Sequence, residues 1–270
     1  MTDPGRLTMA EAAEDNALVS VPASQRRNGH QLAISTVGVA TALVIFAIAG
    51  FAVILAGFTM GLLAGIAVGV MGFLLSWLLG RIAWNTGVSS TVTSRFFGLG
   101  LKGSSIGAAI YAFMILGFLA LESALLYEGT LLMFGLEDTI VTKIVIYGIL
   151  TLLWIALAIF GLQLILRSSL VLIIITIAVT LYMLFEIFVQ RGASLTDVLT
   201  MPGVVPGGAW PKFEAAFALM GATGGTIALV TTDFARYART RRDVTILAMA
   251  GPITQNIIML VLGSLVVVGG

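Results

Sequence analysis

Thr231-Thr232-Asp233-Phe234-Ala235-Arg236-Tyr237-Ala238-Arg239-Thr240-Arg241-Arg242-Asp243 is the densest run of charge in a chain of 270 residues. Only 10% of the sequence is charged, yet six of these thirteen residues are. Long apolar runs lie on both sides, and Gly221-Ala222-Thr223-Gly224-Gly225 stands just before it. A short polar connection between apolar runs of membrane length is the pattern of a helical protein that crosses a bilayer repeatedly.

The composition points the same way. Hydrophobic residues make up 59% of the chain and its mean hydropathy is +1.09, against about 45–50% apolar and about 25% charged in soluble domains. A net charge of +1 offers no basic face for nucleic acid. With no cysteine there is no disulfide framework or thiol chemistry. The single histidine, His30, lies near the start, and no glycine-rich phosphate loop ending in Lys-Ser/Thr occurs. No hydrolytic or redox constellation is visible, so no enzyme activity and no resident cofactor are expected. The first 31 residues set Glu11, Glu14 and Asp15 against Arg6, Arg26 and Arg27 without the order of a signal peptide. They read as a disordered cytosolic tail.

Working along the chain, seven apolar stretches fall at about 32–55, 58–82, 105–127, 140–165, 170–189, 213–230 and 245–268. A loop over about 190–212 carries Pro202, Pro206 and Pro211 among glycines, which disfavour a helix there. Trp210 in that loop suits a membrane interface. With the amino terminus inside, the cytosolic flanks hold ten Lys/Arg (Arg26, Arg27, Arg81, Arg95, Lys102, Arg167, Arg236, Arg239, Arg241 and Arg242) against three outside, Lys143, Arg191 and Lys212. That bias sets a cytosolic amino terminus in the cell membrane. The chain stops at Gly270, two residues beyond a run of valines, and reads as the first part of a longer permease whose remaining helices would be its partners.

Two features could carry chemistry inside the bilayer. Glu122 sits among Leu119, Ala120, Leu121, Ala124 and Leu125; a charge at that depth costs about 2.5–3.5 kcal/mol and should face a bundle interior. Phe118 precedes it by one helical turn. An aromatic face beside a hydrogen-bonding group suits a flat heterocycle, although an interhelical hydrogen bond for Glu122 and core packing for Phe118 are the plainer readings. A buried carboxyl would also make proton coupling possible. The second feature is Gly221, Gly224 and Gly225: each interior glycine costs about 1 kcal/mol relative to Ala, so the sixth span is expected to break there and expose backbone to substrate. Close packing through small residues is the alternative, and it is the reading for Gly61, Gly65, Gly69 and Gly72. Asp233 and Arg236, one turn apart, are expected to pair and fix the short connection to the seventh span, with a role in gating. Glu128 and Glu186 read as interfacial.

Asp233-Phe234-Ala235-Arg236-Tyr237-Ala238-Arg239 resembles the Asp-aromatic-x-Arg-aromatic stretch just after helix six in the nucleobase–cation symporters, the cytosine, purine, allantoin and hydantoin permeases. Thr86-Gly87 with Ser89 and Ser90, Arg95-Phe96 and Gly100-Leu101-Lys102-Gly103-Ser104 resemble that family's connection between helices two and three. Gly117-Phe118 occupies its Gly-Trp position, and Glu122 falls where relatives place a substrate-binding polar group. The resemblance covers about residues 45–245. It implies a LeuT-like fold of two inverted five-helix repeats: a first repeat over about 32–190 and the start of a second over 213–270. It also implies secondary active transport of a nucleobase-like compound across the cytoplasmic membrane, coupled to Na⁺ or H⁺. Phe118 and Glu122 would hold the ring, with Gly221, Gly224 and Gly225 completing the pocket. The sequence departs from the family in carrying Phe118 for Trp and Gly224 for an aromatic, which fits a bulkier or non-planar substrate. An amino-acid or other small-solute permease of the same fold, and a membrane protein without a transport cycle, are the alternatives.

Overall fold

Gly57 turns what would be one very long helix into two. The computed structural model describes residues 19–159 and 161–269, and the acidic part of the tail lies outside them. α1 (Gly29–Ala40) is followed at once by α2 (Leu43–Thr86). Within α2, Gly57 has φ 77° and ψ 168°, a backbone conformation open mainly to glycine. A Cβ at Gly61 would lie 3.6 Å from the Val53 Cα, eight residues back, where a straight helix would separate them by about 12 Å. The chain therefore doubles back at Gly57, into limbs 43–56 and 58–86.

A strap from far along the chain holds that reversal. Residues 201–205 cross it: Phe58 N–H donates to the Met201 carbonyl (3.3 Å), Val204 N–H to Ile54 (2.9 Å) and Val205 N–H to Leu55 (3.0 Å). The last carbonyls of the first limb, which a helix end leaves without partners, are satisfied in this way. Part of the 190–212 loop is also more ordered than its prolines suggest. Leu195–Leu199 forms a short helix with a Ser194/Asp197 capping box, and the sixth span starts early, at Ala209. Pro211 is the third residue of that helix, in the first turn, where no intrahelical N–H donor is lost.

The remaining long helices are α3 (Gly100–Phe134), α4 (Ile140–Ile159), α5 (Gly161–Phe185, continued by a π turn at Glu186–Gln190), α6 (Ala209–Ala235), α7 (Arg241–Ile253) and α8 (Met259–Gly269). A π turn, Thr254–Ile258, joins α7 to α8. Pro252 just before it lacks the N–H that a regular ladder requires. Among the described residues six helices are long and apolar enough to cross a membrane, the first being the doubled α2.

The core lies among both limbs of α2, α6 and the α7–α8 pair. Gly65, Gly69 and Gly72 seat the π turn. A Cβ at Gly65 would strike the Asn256 carbonyl, one at Gly69 would lie 3.7 Å from the Pro252 carbonyl, and one at Gly72 would lie 3.5 Å from Pro252 Cβ. By contrast α4 buries no residue, and Phe113 and Leu132 on α3 are 80% and 85% exposed. Apolar surface on this scale belongs in lipid or against further apolar helices.

The Thr231–Asp243 stretch gathers distant segments at one end of the bundle. Arg27 N–H donates to the Tyr237 carbonyl (2.7 Å) and Arg239 N–H to the Arg27 carbonyl (3.1 Å). Asp243 Oδ2 accepts from Thr240 N–H (2.9 Å) and Oγ1 (2.7 Å), while its Oδ1 accepts from Gly29 N–H (2.7 Å) at the start of α1. Residues 19–28 are therefore docked rather than free, unlike the expected disordered tail. Val21 is buried, and its N–H donates to the Gly87 carbonyl (2.9 Å). Their charge concealed this, because much of the docking runs through backbone groups.

Candidate functional site: a broken first span and the carboxylate that meets it

The break expected in the sixth span is in the first. α6 is a continuous helix through Gly221, Gly224 and Gly225, so the expected unwinding there is not found. The helix period explains the difference. Gly224 faces the second limb of α2, where a Cβ would lie 2.8 Å from Val68 Cγ1 and 3.4 Å from its carbonyl. Close packing there offsets the poor helix propensity. Gly221 and Gly225, one turn apart on another face, would each present a Cβ to open space. Gly221→Ala and Gly225→Ala should therefore leave thermal stability unchanged or raise it by up to about 1 kcal/mol. Gly224→Ala should lower it by about 1–2 kcal/mol through overpacking against Val68. Denaturation of the three purified variants reads the difference.

The first span stops at Ala40 and restarts at Leu43. Thr41 closes α1: its N–H donates to the Val37 carbonyl (3.0 Å) and its Oγ1 to the Gly38 carbonyl (3.0 Å). Ala42 is extended, with φ −61° and ψ 146°, and its methyl side chain cannot cap the helix that begins at Leu43. The cap comes from α3 instead. Glu122 Oε1 accepts from Leu43 N–H (3.0 Å) and Oε2 from Val44 N–H (2.9 Å). Both oxygens act as acceptors toward the positive end of a helix. The half-buried Glu122 thus acquires the partner that its position in an apolar span required. Phe118, one turn earlier, packs against the core cluster that includes Val44, Ala216 and Met220. Further along the same face, Met114 meets Thr226 of α6, whose hydroxyl lies 3.6 Å from its sulfur.

The structure therefore brings Phe118 and Glu122 together at the break. Gly221 and Gly225 only border open space beside α6, and Gly224 packs into the core. The residues that sequence reasoning missed are Thr41 and Ala42. Their available signal was indirect: a carboxylate in the third span in need of donors, and the small, β-branched run Ser35–Ala42 ahead of a second apolar segment.

The charge of Arg236 acts on Asp233 as expected, but the carboxylate has further partners. Its Oδ1 accepts from Ser90 N–H and Oγ, both at 3.0 Å, and Tyr111 O–H donates to Oδ2 at 3.5 Å. Arg236 reaches the Asp233 backbone carbonyl through Nε (3.1 Å), and its guanidinium lies 4.8 Å from the Tyr237 ring centroid. Instead of serving mainly to join spans six and seven, the Asp233 carboxylate ties span six to the 87–95 connection and to α3. Asp233→Ala should raise hydrogen exchange across residues 88–94 by at least about tenfold, with exchange at Gly29 on the Asp243 side unchanged. Glu128 is exposed and Glu186 lies 3.9 Å from Arg191.

No family model matches this sequence, and no curated protein is significantly similar to it. The helices and their apolar exterior define the class, an all-α, multi-pass membrane protein.

Proposed function

We propose that this chain belongs to a secondary active carrier that moves a nucleobase-like compound across the cytoplasmic membrane, coupled to Na⁺ or H⁺. Its amino terminus and the Thr231–Asp243 hub lie on the cytosolic side. The observation that carries the reading is the interrupted first span, with Leu43 and Val44 N–H groups received by Glu122. Non-helical backbone at membrane depth is tolerated only where protein or a water-filled cavity surrounds it, and carriers use such breaks to form substrate and ion sites. A split first helix also fits the LeuT-like inverted repeat that the sequence resemblance implies. Phe118 supplies the ring face, Glu122 the polar edge, and the backbone at Gly221 and Gly225 the facing wall.

Uptake of labelled cytosine, uracil, hypoxanthine and allantoin by cells that express and insert the full-length protein tests this. Saturable uptake of at least one compound, dependent on Na⁺ or on a pH gradient, is the expected result. Absence of uptake for all four in cells with verified insertion would remove the substrate assignment.

A further inference from the structure

We propose that the Thr231–Asp243 end of the bundle carries a docking site for an anionic phospholipid, built from Arg81, Arg241 and the two indoles that hold them. It needs only that the chain sits in a bilayer, and it stands or falls apart from the transport reading. Trp77, Arg81 and Trp84 are spaced i, i+4 and i+7 on the second limb of α2, along one helix face. The Arg81 guanidinium lies 4.6 Å from the Trp77 ring centroid. That of Arg241, the first residue of α7, lies 5.7 Å from the Trp84 centroid. The two helices run side by side here: a Cβ at Gly80 would lie 3.1 Å from Val244 Cγ1. Both guanidinium groups are thus placed by aromatic contact at the level where the limb ends.

Neither cation is neutralised by the protein. Among the described residues Arg81 and Arg241 take part in no hydrogen bond and no ion pair. The closest acid in sequence, Asp243, has both oxygens engaged, by Gly29 N–H and by Thr240. A guanidinium resting on an indole keeps its N–H fork for a planar pair of acceptors, and phosphate oxygens fit that fork. The source of the phosphate follows from the other end of the same face. Leu74 and Leu78 continue the Arg81 stripe toward the middle of the limb, at i and i+4 with Arg81 at i+7, and both are exposed. An acyl chain lying along these leucines brings its phosphate to Arg81, whereas a soluble phosphate makes no use of them. A choline headgroup would set a further positive charge beside two arginines, so the site selects a headgroup of net negative charge, on the scale of about fivefold for each arginine.

Equilibrium binding of a fluorescent phosphatidylglycerol to the purified full chain in a neutral detergent tests the site. Unlabelled phosphatidylglycerol, phosphatidylcholine and glycerol 3-phosphate serve as competitors. In wild type, phosphatidylglycerol should compete at least about tenfold more strongly than phosphatidylcholine, and glycerol 3-phosphate should displace little. Arg81→Gln with Arg241→Gln should weaken binding at least about tenfold and bring the two lipids within about threefold of each other. Arg242→Gln removes an exposed charge of the same end that has no indole partner among the described residues, and should change binding by less than about threefold. If the double variant fails to fold, each single variant should still lose at least about threefold; if those fail as well, the wild-type competition decides alone. Equal competition by the two lipids overturns the site, as does undiminished binding in folded variants or an equal loss in Arg242→Gln. Displacement by glycerol 3-phosphate as strong as by phosphatidylglycerol would show a soluble-anion site in place of a lipid one.

Discussion

Glu122→Ala should lower the stability of the purified protein by about 2–3 kcal/mol and abolish ligand binding. The substitution leaves Leu43 and Val44 N–H groups at the head of the restarted helix without acceptors, where α3 had supplied both. Hydrogen bonds to a charged group contribute about 1.5–3 kcal/mol each, but interhelical polar contacts in membranes average nearer 0.6 kcal/mol. Two bonds to a half-buried carboxylate fall between those limits. Glu122→Gln keeps one acceptor and should lose about half as much. Thermal or denaturant unfolding in detergent measures the pair, and a loss below about 0.5 kcal/mol in Glu122→Ala would show that the bonds carry little.

Gly203→Ala should be worse, costing more than about 3 kcal/mol and leaving little folded protein. Its Cβ would enter the backbone of the reversal, against the Leu55 carbonyl, Ala56 carbonyl carbon and Gly57 N–H. Backbone cannot move aside as a flexible side chain can, so the strap must lift and release its bonds to Ile54, Leu55 and Phe58. Gly57→Ala approaches the same interface from the other side. Its Cβ would lie 2.7 Å from the Met201 carbonyl, with the added strain of a positive φ. Both variants should give low yields of monodisperse protein next to wild type, whereas Gly208→Ala, with open space around it, should not.

The succession of membrane helices was legible in the sequence because it depends on local quantities, apolar length and the turns between runs. Glu122 was legible as well, since a carboxylate among leucines must find donors. The place of the break was not. Three glycines in five residues make 221–225 a weak helix by propensity, yet Gly224 packs into Val68 and the helix holds. Thr41 and Ala42 are ordinary by propensity, and the span opens there because a carboxylate 79 residues away from Leu43 accepts the freed N–H groups. Such matching of donors to acceptors is tertiary and leaves no local trace. Asp233 gives the same lesson: spacing pointed to Arg236, whose charge does act on the carboxylate, but not to Ser90 and Tyr111, which supply its described side-chain hydrogen bonds.

The most direct measurement is amide hydrogen exchange at Leu43 and Val44, resolved in overlapping peptides from wild type and Glu122→Ala. Among the described residues only the carboxylate accepts from these two N–H groups at the start of their helix, so wild type should protect them and Glu122→Ala should speed their exchange at least about tenfold, with residues 46–56 little changed. Equal exchange in the two proteins would contradict a first span braced by Glu122, and with it the site built on that brace.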